Sequence, residues 1–108
     1  MAQDFERNIA RQIGTSATTL RTANSDDALV GISLANIVAT QILVDVYITS
    51  SANDYYLGKD ISIPSGASLQ LLDGGAKVVL QNGDALKIVS DTANSLDAWV
   101  SVVDSIST

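Results

Sequence analysis

The sequence lacks two residue types on which most side-chain chemistry depends. Its 108 residues include no histidine and no cysteine. A Ser-His-Asp triad, a Cys-His pair, a zinc site with His or Cys ligands and any disulfide are therefore excluded. No Walker A or dinucleotide-binding glycine pattern occurs, and no serine lies in a Gly-x-Ser-x-Gly elbow. We therefore predict a protein that is not an enzyme and that uses no cofactor.

Carboxylates remain as candidates, because the chain carries eleven aspartates and one glutamate. A carboxylate pair could serve glycoside hydrolysis, and a cluster of oxygen ligands could hold calcium. The pairs that could gather around calcium are Asp26 with Asp27 and Asp54 with Asp60, but no EF-hand spacing is present. Most aspartates lie in polar turns, where local backbone hydrogen bonds favour Asp. Solvated loops explain them, so we predict no catalytic and no metal-binding residue.

The charge balance bears on the partners of the chain. Twelve acidic residues against six basic ones give a formal charge of −6. This balance disfavours a nucleic acid or an anionic membrane surface, because both attract clustered Lys and Arg. The opening Met-Ala-Gln-Asp-Phe-Glu does not have the pattern of a secretory signal, and the apolar runs are far shorter than a membrane helix. We expect a soluble protein, made in the cytoplasm, with neither nucleic acid nor membrane as a partner.

The start of the chain combines apolar and basic side chains. Phe5, Ile9 and Ile13 recur every four residues, which suits one face of a helix. They also share strand parity with Arg7 and Arg11, so a strand would alternate apolar and basic residues on one face. Because the rest of the chain has β patterns, we favour an extended arm or a first strand.

Two further features bear on contacts with other molecules. Arg21, with Arg7 and Arg11, places three of the six basic residues in the first 21 positions. These charges could form a basic arm that docks on an acidic neighbour, or a solvated edge.

Trp99 alternates with the apolar residues of the last predicted strand, so we interpret it as partial core or a subunit contact. Carbohydrate binding stays open, and the aromatic residues available for it are Phe5, Tyr47, Tyr55, Tyr56 and Trp99.

The stretch from residue 61 to residue 90 indicates the fold. Its apolar runs are interrupted by three turn clusters: Pro64-Ser65-Gly66, Asp73-Gly74-Gly75 and Asn82-Gly83-Asp84. Proline presets φ, and Gly and Asn tolerate positive φ, so each cluster can reverse the chain. Three short strands fit between turns this close together, whereas a helix of normal length does not.

Strands are also predicted elsewhere. Residues 41–49 give the clearest signal, with an apolar side chain at every second position from Ile42 to Ile48. The other predicted strands are residues 17–22, residues 28–36 with Gly31 marking a bulge or close packing, residues 54–57 and residues 96–103. About eight short strands predict an all-β antiparallel β-sandwich, jelly-roll-like, with an immunoglobulin-like sandwich as the alternative. We divide the chain into residues 1–13, an N-terminal arm or first strand, and residues 14–108, a single β-sandwich domain.

A series of short elements, spread over most of the chain, forms a further pattern. These elements are Ile13-Gly14-Thr15-Ser16, Thr18-Thr19-Leu20, Val30-Gly31-Ile32, Ala35-Asn36, Val44-Asp45-Val46-Tyr47-Ile48-Thr49, Tyr55-Tyr56-Leu57, Ile63-Pro64-Ser65-Gly66, Gly83-Asp84 and Leu86-Lys87-Ile88. Their order and spacing resemble the layout of small virion structural proteins of tailed bacteriophages.

The resemblance implies a non-enzymatic β-sandwich that is present in many copies on a phage virion. It implies a capsid cement or decoration protein, a homotrimer that bridges major capsid subunits; the alternative is a neck, tail or fibre-base protein. Phe5, Ile9 and Ile13 would then pack on a neighbouring chain. The full set of predicted oligomer or capsid contacts is Phe5, Arg7, Ile9, Arg11, Ile13 and Trp99. Two other classes remain: a carbohydrate-binding β-sandwich module and a bacterial interaction domain unrelated to phages.

Overall fold

A computed structural model describes residues 4–72 and 78–104 of the chain. Within these ranges the backbone forms nine β-strands and no helix, which confirms the all-β prediction. The same ranges therefore contain no helix with the length and hydropathy to cross a membrane. The strands are β1 (Asp4–Ile13), β2 (Thr18–Thr22), β3 (Asp27–Asn36), β4 (Ile42–Ser50), β5 (Asn53–Ile63), β6 (Ser68–Leu72), β7 (Val78–Leu80), β8 (Ala85–Ser90) and β9 (Leu96–Asp104).

The strands form two sheets. Sheet A has the order β1-β9-β3-β6, with β7 also pairing with β3, and sheet B has the order β2-β8-β4-β5. Every pair is antiparallel, so the predicted antiparallel β-sandwich is confirmed. The pairs are nested: β1 pairs with β9, β2 with β8, β3 with β6 and β7, and β4 with β5. Nesting of this kind results when one long antiparallel ribbon rolls up into two layers.

Alternating side chains fill the space between the sheets. In β4 the side chains of Ile42, Val44 and Val46 are buried, whereas Leu43 between them is exposed. Strand β9 alternates in the same way from its first residue, Leu96. Successive side chains of a strand point to opposite faces, so one face of each sheet builds the core. Each large apolar side chain that is fully buried there stabilises the fold by about 1.5–3 kcal/mol.

Two of the three predicted glycine turns lie within the described ranges, and both connect the two sheets. The Ala67 N–H donates to the Pro64 carbonyl at 3.1 Å and closes the turn between β5 and β6. Gly83, with a φ of 94°, shapes the turn between β7 and β8. The Asn82-Gly83 turn therefore does not close a hairpin, because its flanking strands belong to different sheets. The turn predicted at 73–75 lies outside the described residues.

Within the described residues, register shifts occur in five of the seven strand pairs, and two of these pairs bear on predicted strands. The bulge considered at Gly31 is present, because the register between β3 and β9 shifts between Leu29 and Gly31. Strand β5 is longer than the short strand predicted at 54–57, since it continues to Ile63. Its register with β4 shifts on both sides of Val46, and Asp60 in the same stretch has a φ of 53°. Bulges of this kind increase local twist and redirect side chains.

Candidate interaction surface

Strand β1 lies at the edge of sheet A and pairs with β9 without interruption from Asp4 to Ala10. Phe5 and Ile9 point away from the core, and their side chains are 86% and 51% exposed. Arg7 lies between them and is exposed as well. The predicted alternation of apolar and basic side chains on one face is therefore present along β1. We call the solvent side of sheet A its outer face.

Ile13 does not belong to this face, which corrects the prediction that it packs on a neighbouring chain. Its side chain is 3% exposed and lies in the hydrophobic core. The register with β9 shifts between Ala10 and Ile13, and Gln12 has a φ of 54°. Because the extra residues of a bulge reverse strand parity, Ile13 points inward although Ile9 points outward. The Gln12 N–H donates to the Asp97 carboxylate at 2.9 Å, which holds the bulge in place.

Trp99 lies at the centre of the outer face of sheet A. It is directly opposite Ile9 in the β1–β9 register, and its side chain is 50% exposed. The guanidinium carbon of Arg7 lies over the indole, 5.1 Å from the ring centroid, so the two form a cation–π contact. Three of the predicted contact residues are thus brought together on neighbouring strands.

A groove runs beside Trp99. On β3 the register places Ser33 opposite Trp99 and Ala35 opposite Asp97, so this side of the indole faces small side chains. The space that they leave has a volume of about 350 Å³, and Arg11 of β1 contributes to its opposite wall. We call this space the Trp99 groove. Its walls are mainly apolar, with one guanidinium and one carboxylate among them.

A second row of apolar residues crosses the outer face of sheet A. The registers place Phe5 opposite Val103, Val103 opposite Ala28, and Ala28 opposite Val79. Val79, at the far edge of the sheet, is 56% exposed. Apolar side chains therefore extend from one edge of sheet A to the other. Sequence patterns do not show this row, because it joins four segments that are distant along the chain.

The outer face of sheet B has a different character, because it carries charges that are paired within the chain. The rings of Tyr47 and Tyr56 are adjacent, with centroids 5.1 Å apart. The Lys59 ammonium lies 5.0 Å from the Tyr56 ring centroid and 3.5 Å from a carboxylate oxygen of Asp45. Burial, together with the negative charge of Asp54, raises the pKa of Tyr47 above its ordinary value. These tyrosine and lysine side chains therefore already have partners.

The aromatic residues considered for carbohydrate binding do not form one platform. Trp99 is on the outer face of sheet A, whereas Tyr47 and Tyr56 are on the opposite side of the sandwich. Tyr55 is directly opposite the buried Ile48, yet it is 59% exposed because it lies near the end of the edge strand β5. No single surface therefore presents all four rings.

Arg21 forms an ion-pair cluster that the sequence does not predict, so it belongs neither to a basic docking arm nor to a solvated edge, the two alternatives that the sequence leaves open. Its side chain is only 9% exposed. The Nε group donates to Asp27 Oδ2 at 2.8 Å, and Nη1 donates to Glu6 Oε1 at 3.0 Å. Nη2 lies 3.4 Å from Asp104 Oδ1. Arg21 of sheet B thus binds three strands of sheet A. The only sequence signal was an Arg and an Asp six residues apart across a polar loop.

The acidic residues considered for calcium lie in two separate places. Asp27 is fully buried and binds Arg21, whereas Asp54 and Asp60 belong to strand β5 of the other sheet. Within the described ranges, no group of three or more His, Cys, Asp or Glu side chains is placed to hold a metal ion.

The comparisons with known proteins identify similar folds. No protein-family model matches the chain, and no curated protein matches it in sequence. A chain of the T13 viral particle of IBDV is similar, with a TM-score of 0.59 and 13% identity over 95% of this chain and 31% of that chain. A chain of the infectious bursal disease virus VP2 subviral particle has a TM-score of 0.58 and 13% identity, over 95% of this chain and 33% of that chain. A subunit of Bacillus endospore appendages, which form disulfide-linked pili, has a TM-score of 0.56 and 13% identity, over 94% of this chain and 84% of that chain.

At 13% identity these likenesses show a shared fold. The chain spans about a third of the viral chains that it matches, namely 31% and 33% of their lengths. It spans most of the endospore appendage subunit, at 84%. All three are structural proteins with a β-fold, and each forms part of a larger particle or fibre.

Proposed function

We propose that this chain is a non-enzymatic structural component of a tailed-phage virion, a cement or decoration protein that bridges capsid subunits. One observation carries the proposal: the outer face of sheet A exposes large apolar side chains that the chain's own core does not use. Phe5, Ile9, Val79 and Trp99 are each at least half exposed on that face. Contiguous exposed apolar surface on a soluble domain marks an interaction site.

The contrast between the two outer faces supports the choice of docking face. On sheet B, Lys59 is paired with Asp45 and covers the Tyr56 ring, so that face is already satisfied. On sheet A, Arg7 lies over the Trp99 ring, yet Trp99, Phe5 and Ile9 are each still at least half exposed. Interface cores are depleted of charges and enriched in Trp, Phe and Arg, which is the composition of this face.

The fold supports a role in assembly. The nested strand pairs support a jelly-roll-like sandwich over the immunoglobulin-like alternative, which divides its strands between sheets ABED and CFG. Similar sandwiches occur in the viral capsid chains and the endospore appendage subunit. A fold alone does not determine function. Here it adds to the exposed face, because all three similar proteins belong to particles or fibres built from repeated subunits.

The size of the face suggests how such a protein would bind. Four strands at a spacing of about 4.8 Å and about seven residues at about 3.3 Å give a projected area of roughly 450 Å². This is below the roughly 800 Å² per partner of a standard stable interface. One copy would therefore bind weakly, and a symmetric oligomer that engages several capsid subunits at once would bind tightly. We therefore keep the homotrimer as part of the proposal.

A neck, tail or fibre-base protein is the second candidate, and the endospore appendage subunit favours it. That subunit is similar over 84% of its length, so a domain of this size can serve as a unit of a fibre. The described pili are disulfide-linked, whereas this chain contains no cysteine. These residues therefore could not form the disulfide links of such a fibre.

The test is co-sedimentation of the purified protein with particles of the virus that encodes it. Trp99→Ala should weaken particle binding by at least about 30-fold, because a central interface Trp is worth about 2 kcal/mol or more. Tyr56→Ala is the matched control, since Tyr56 is 47% exposed and Trp99 is 50% exposed on opposite faces. Equal effects of both changes would refute the docking face, and absence of binding by the unmodified protein would refute the virion role.

The position on the particle and the copy number need separate measurements. Gold-labelled antibody on the head would support the cement role, whereas label at the neck or tail would support the second candidate. Light scattering of the purified protein should give the mass of three chains.

A further inference from the structure

We infer that the Trp99 groove binds an extended segment of the partner protein that carries an apolar side chain flanked by carboxylates. This inference rests on the proposed function, because it gives the chemistry of the partner at the docking face. It specifies more than an apolar contact, since it assigns a negative charge to the part of the partner that lies along β1.

The shape of the groove accounts for the apolar part. Ser33 and Ala35 form a low wall on β3, and the indole of Trp99 rises beside them. The space of about 350 Å³ is large enough for one or two side chains but small for a folded element. The exposed half of Trp99 and the exposed half of Ile9 would lose contact with water when an apolar side chain enters.

The charges on β1 account for the acidic part. Arg11 lines the groove and Arg7 lies over the Trp99 ring beside it, and neither forms an ion pair with a carboxylate among the described side chains. Arg21 and Lys59, by contrast, are each paired within the chain. A guanidinium offers a rigid fork of donors that fits a carboxylate, so the two unengaged arginines favour an acidic partner.

Asp97 keeps its negative charge beside these arginines but forms an ion pair with neither of them among the described side chains. It is the one carboxylate in the wall of the groove, and its Oδ1 accepts the Gln12 N–H at 2.9 Å. That bond belongs to the β1 bulge and directs the carboxylate toward the backbone of β1. The cationic side chains at the groove, Arg7 and Arg11, therefore remain available to a partner.

The overall charge of −6 opposes an acidic partner at long range. The Debye length is about 8 Å at physiological ionic strength, so repulsion from distant carboxylates is largely screened there. Contacts between a guanidinium and a carboxylate at hydrogen-bond distance are screened much less. The local charge on β1 therefore decides the preference under these conditions.

The experiment uses the fluorescence of Trp99, the only tryptophan in the chain. The probes are three acetylated, amidated pentapeptides with alternating leucine: Asp-Leu-Asp-Leu-Asp, Asn-Leu-Asn-Leu-Asn and Lys-Leu-Lys-Leu-Lys. We expect the aspartate peptide to bind at least tenfold more tightly than the asparagine peptide, and the lysine peptide to bind most weakly. Arg11→Ala should remove most of this preference, and Arg11→Lys should retain part of it. Lys87→Ala is the control, because Lys87 lies in sheet B.

Each outcome decides the inference separately from the proposed function. Equal binding of the aspartate and asparagine peptides would overturn it, as would a preference that survives Arg11→Ala. A Trp99 signal that changes with protein concentration but not with any peptide would identify a second copy as the occupant, which also overturns it. If particles bind the unmodified protein and Arg11→Ala equally well, the inference fails and the virion role stands. If the peptide preference holds but particles do not bind, the virion role fails and the groove chemistry stands.

Discussion

Replacing Arg21 with methionine would remove the guanidinium from between the two sheets while keeping a side chain of similar length. Asp27 would then remain at 0% exposure without its strongest partner. Glu6, whose Oε1 accepts a hydrogen bond from Arg21 Nη1 at 3.0 Å, would lose its ion pair as well. Removing one member of a buried ion pair typically costs about 3–5 kcal/mol, because the other charge stays buried without compensation.

We expect a loss of about 3 kcal/mol, at the lower end of that range. Two features of the structure reduce the cost. The Ser25 hydroxyl still donates to Asp27 Oδ1 at 3.1 Å. A polar opening of about 380 Å³ adjoins the cluster and gives water access to Glu6 and Asp104. The free energy of unfolding of a domain of this size is about 5–15 kcal/mol in total, so the variant should still fold but should unfold at a lower urea concentration.

The assay is urea unfolding followed by circular dichroism, with Lys59→Met as the control. With a denaturant slope of about 1.5 kcal/mol per molar, the Arg21→Met midpoint should fall by about 2 M. Lys59→Met breaks the exposed pair with Asp45 and should leave the midpoint unchanged within error. Replacing both partners with apolar residues, Arg21→Met with Asp27→Leu, should recover most of the loss. If Arg21→Met shifts the midpoint no more than Lys59→Met, the cluster does not stabilise the fold and our reasoning is wrong.

The effect of Arg21→Met should not depend on pH in the alkaline range. Burial alone would lower the Arg21 pKa, but hydrogen bonds to Asp27 and Glu6 outweigh it, so the pKa is raised above the ordinary arginine value. A raised pKa means that the stabilisation is fully present below the unfolded value and is lost only as pH rises through the folded value. The free energy of unfolding should therefore differ between the variant and the unmodified protein by the same amount at neutral pH and at moderately alkaline pH.

Two further predictions concern single side chains. Because burial and Asp54 raise the pKa of Tyr47, its stabilisation is present below the ordinary tyrosine value and is lost as pH rises through the folded pKa. Ultraviolet titration should show one late tyrosinate step that Tyr47→Phe removes, and persistence of that step would contradict the assignment. Ser95 is fully buried, accepts from Ser90 at 2.6 Å and donates to the Thr92 carbonyl at 2.7 Å. Ser95→Ala should therefore cost about 1–3 kcal/mol in urea unfolding, whereas a change near zero would show that water replaces the hydroxyl.

The sequence predicts those parts of the fold that local patterns determine. Strand β4 was predicted from period-two alternation, and its buried and exposed residues follow that alternation. The same holds for β9, where Trp99 was expected on the face opposite Leu96 and Val100. Alternation is reliable here because one face of each strand must lie against the other sheet. The β-sandwich follows from it once helices are excluded by the closely spaced turns.

What the sequence does not predict depends on contacts between distant segments. The prediction that Ile13 packs on a neighbouring chain is wrong because it assumes regular strand alternation from Phe5 to Ile13. The bulge between Ala10 and Ile13 breaks that alternation, and no local sequence pattern indicates the bulge. For Arg21 the sequence leaves a docking arm and a solvated edge open, and neither is correct, because its partners Glu6, Asp27 and Asp104 lie on three other strands. Ser95 directly precedes the strand predicted at residues 96–103, yet its N–H donates to the Ile13 carbonyl at 3.0 Å and its side chain is buried.

The edge strands of the two sheets are not equally protected, and β1 is the least protected of them. Strands β2, β6 and β7 are short, and β5 is interrupted by two register shifts. Short and irregular edges resist pairing with another chain. Strand β1 is paired regularly from Asp4 to Ala10, and its outward side chains include the exposed Phe5 and Ile9.

An edge of this kind is an aggregation liability in a free monomer, unless a partner covers it. The Arg side chains of β1 oppose self-pairing, because two copies of β1 would bring like charges together. The same arginines would attract an acidic segment. Strand β1 thus combines a regular edge, two exposed apolar side chains and two arginines that form no ion pair with a described carboxylate. A single partner that runs along β1 and reaches the Trp99 groove would account for all three.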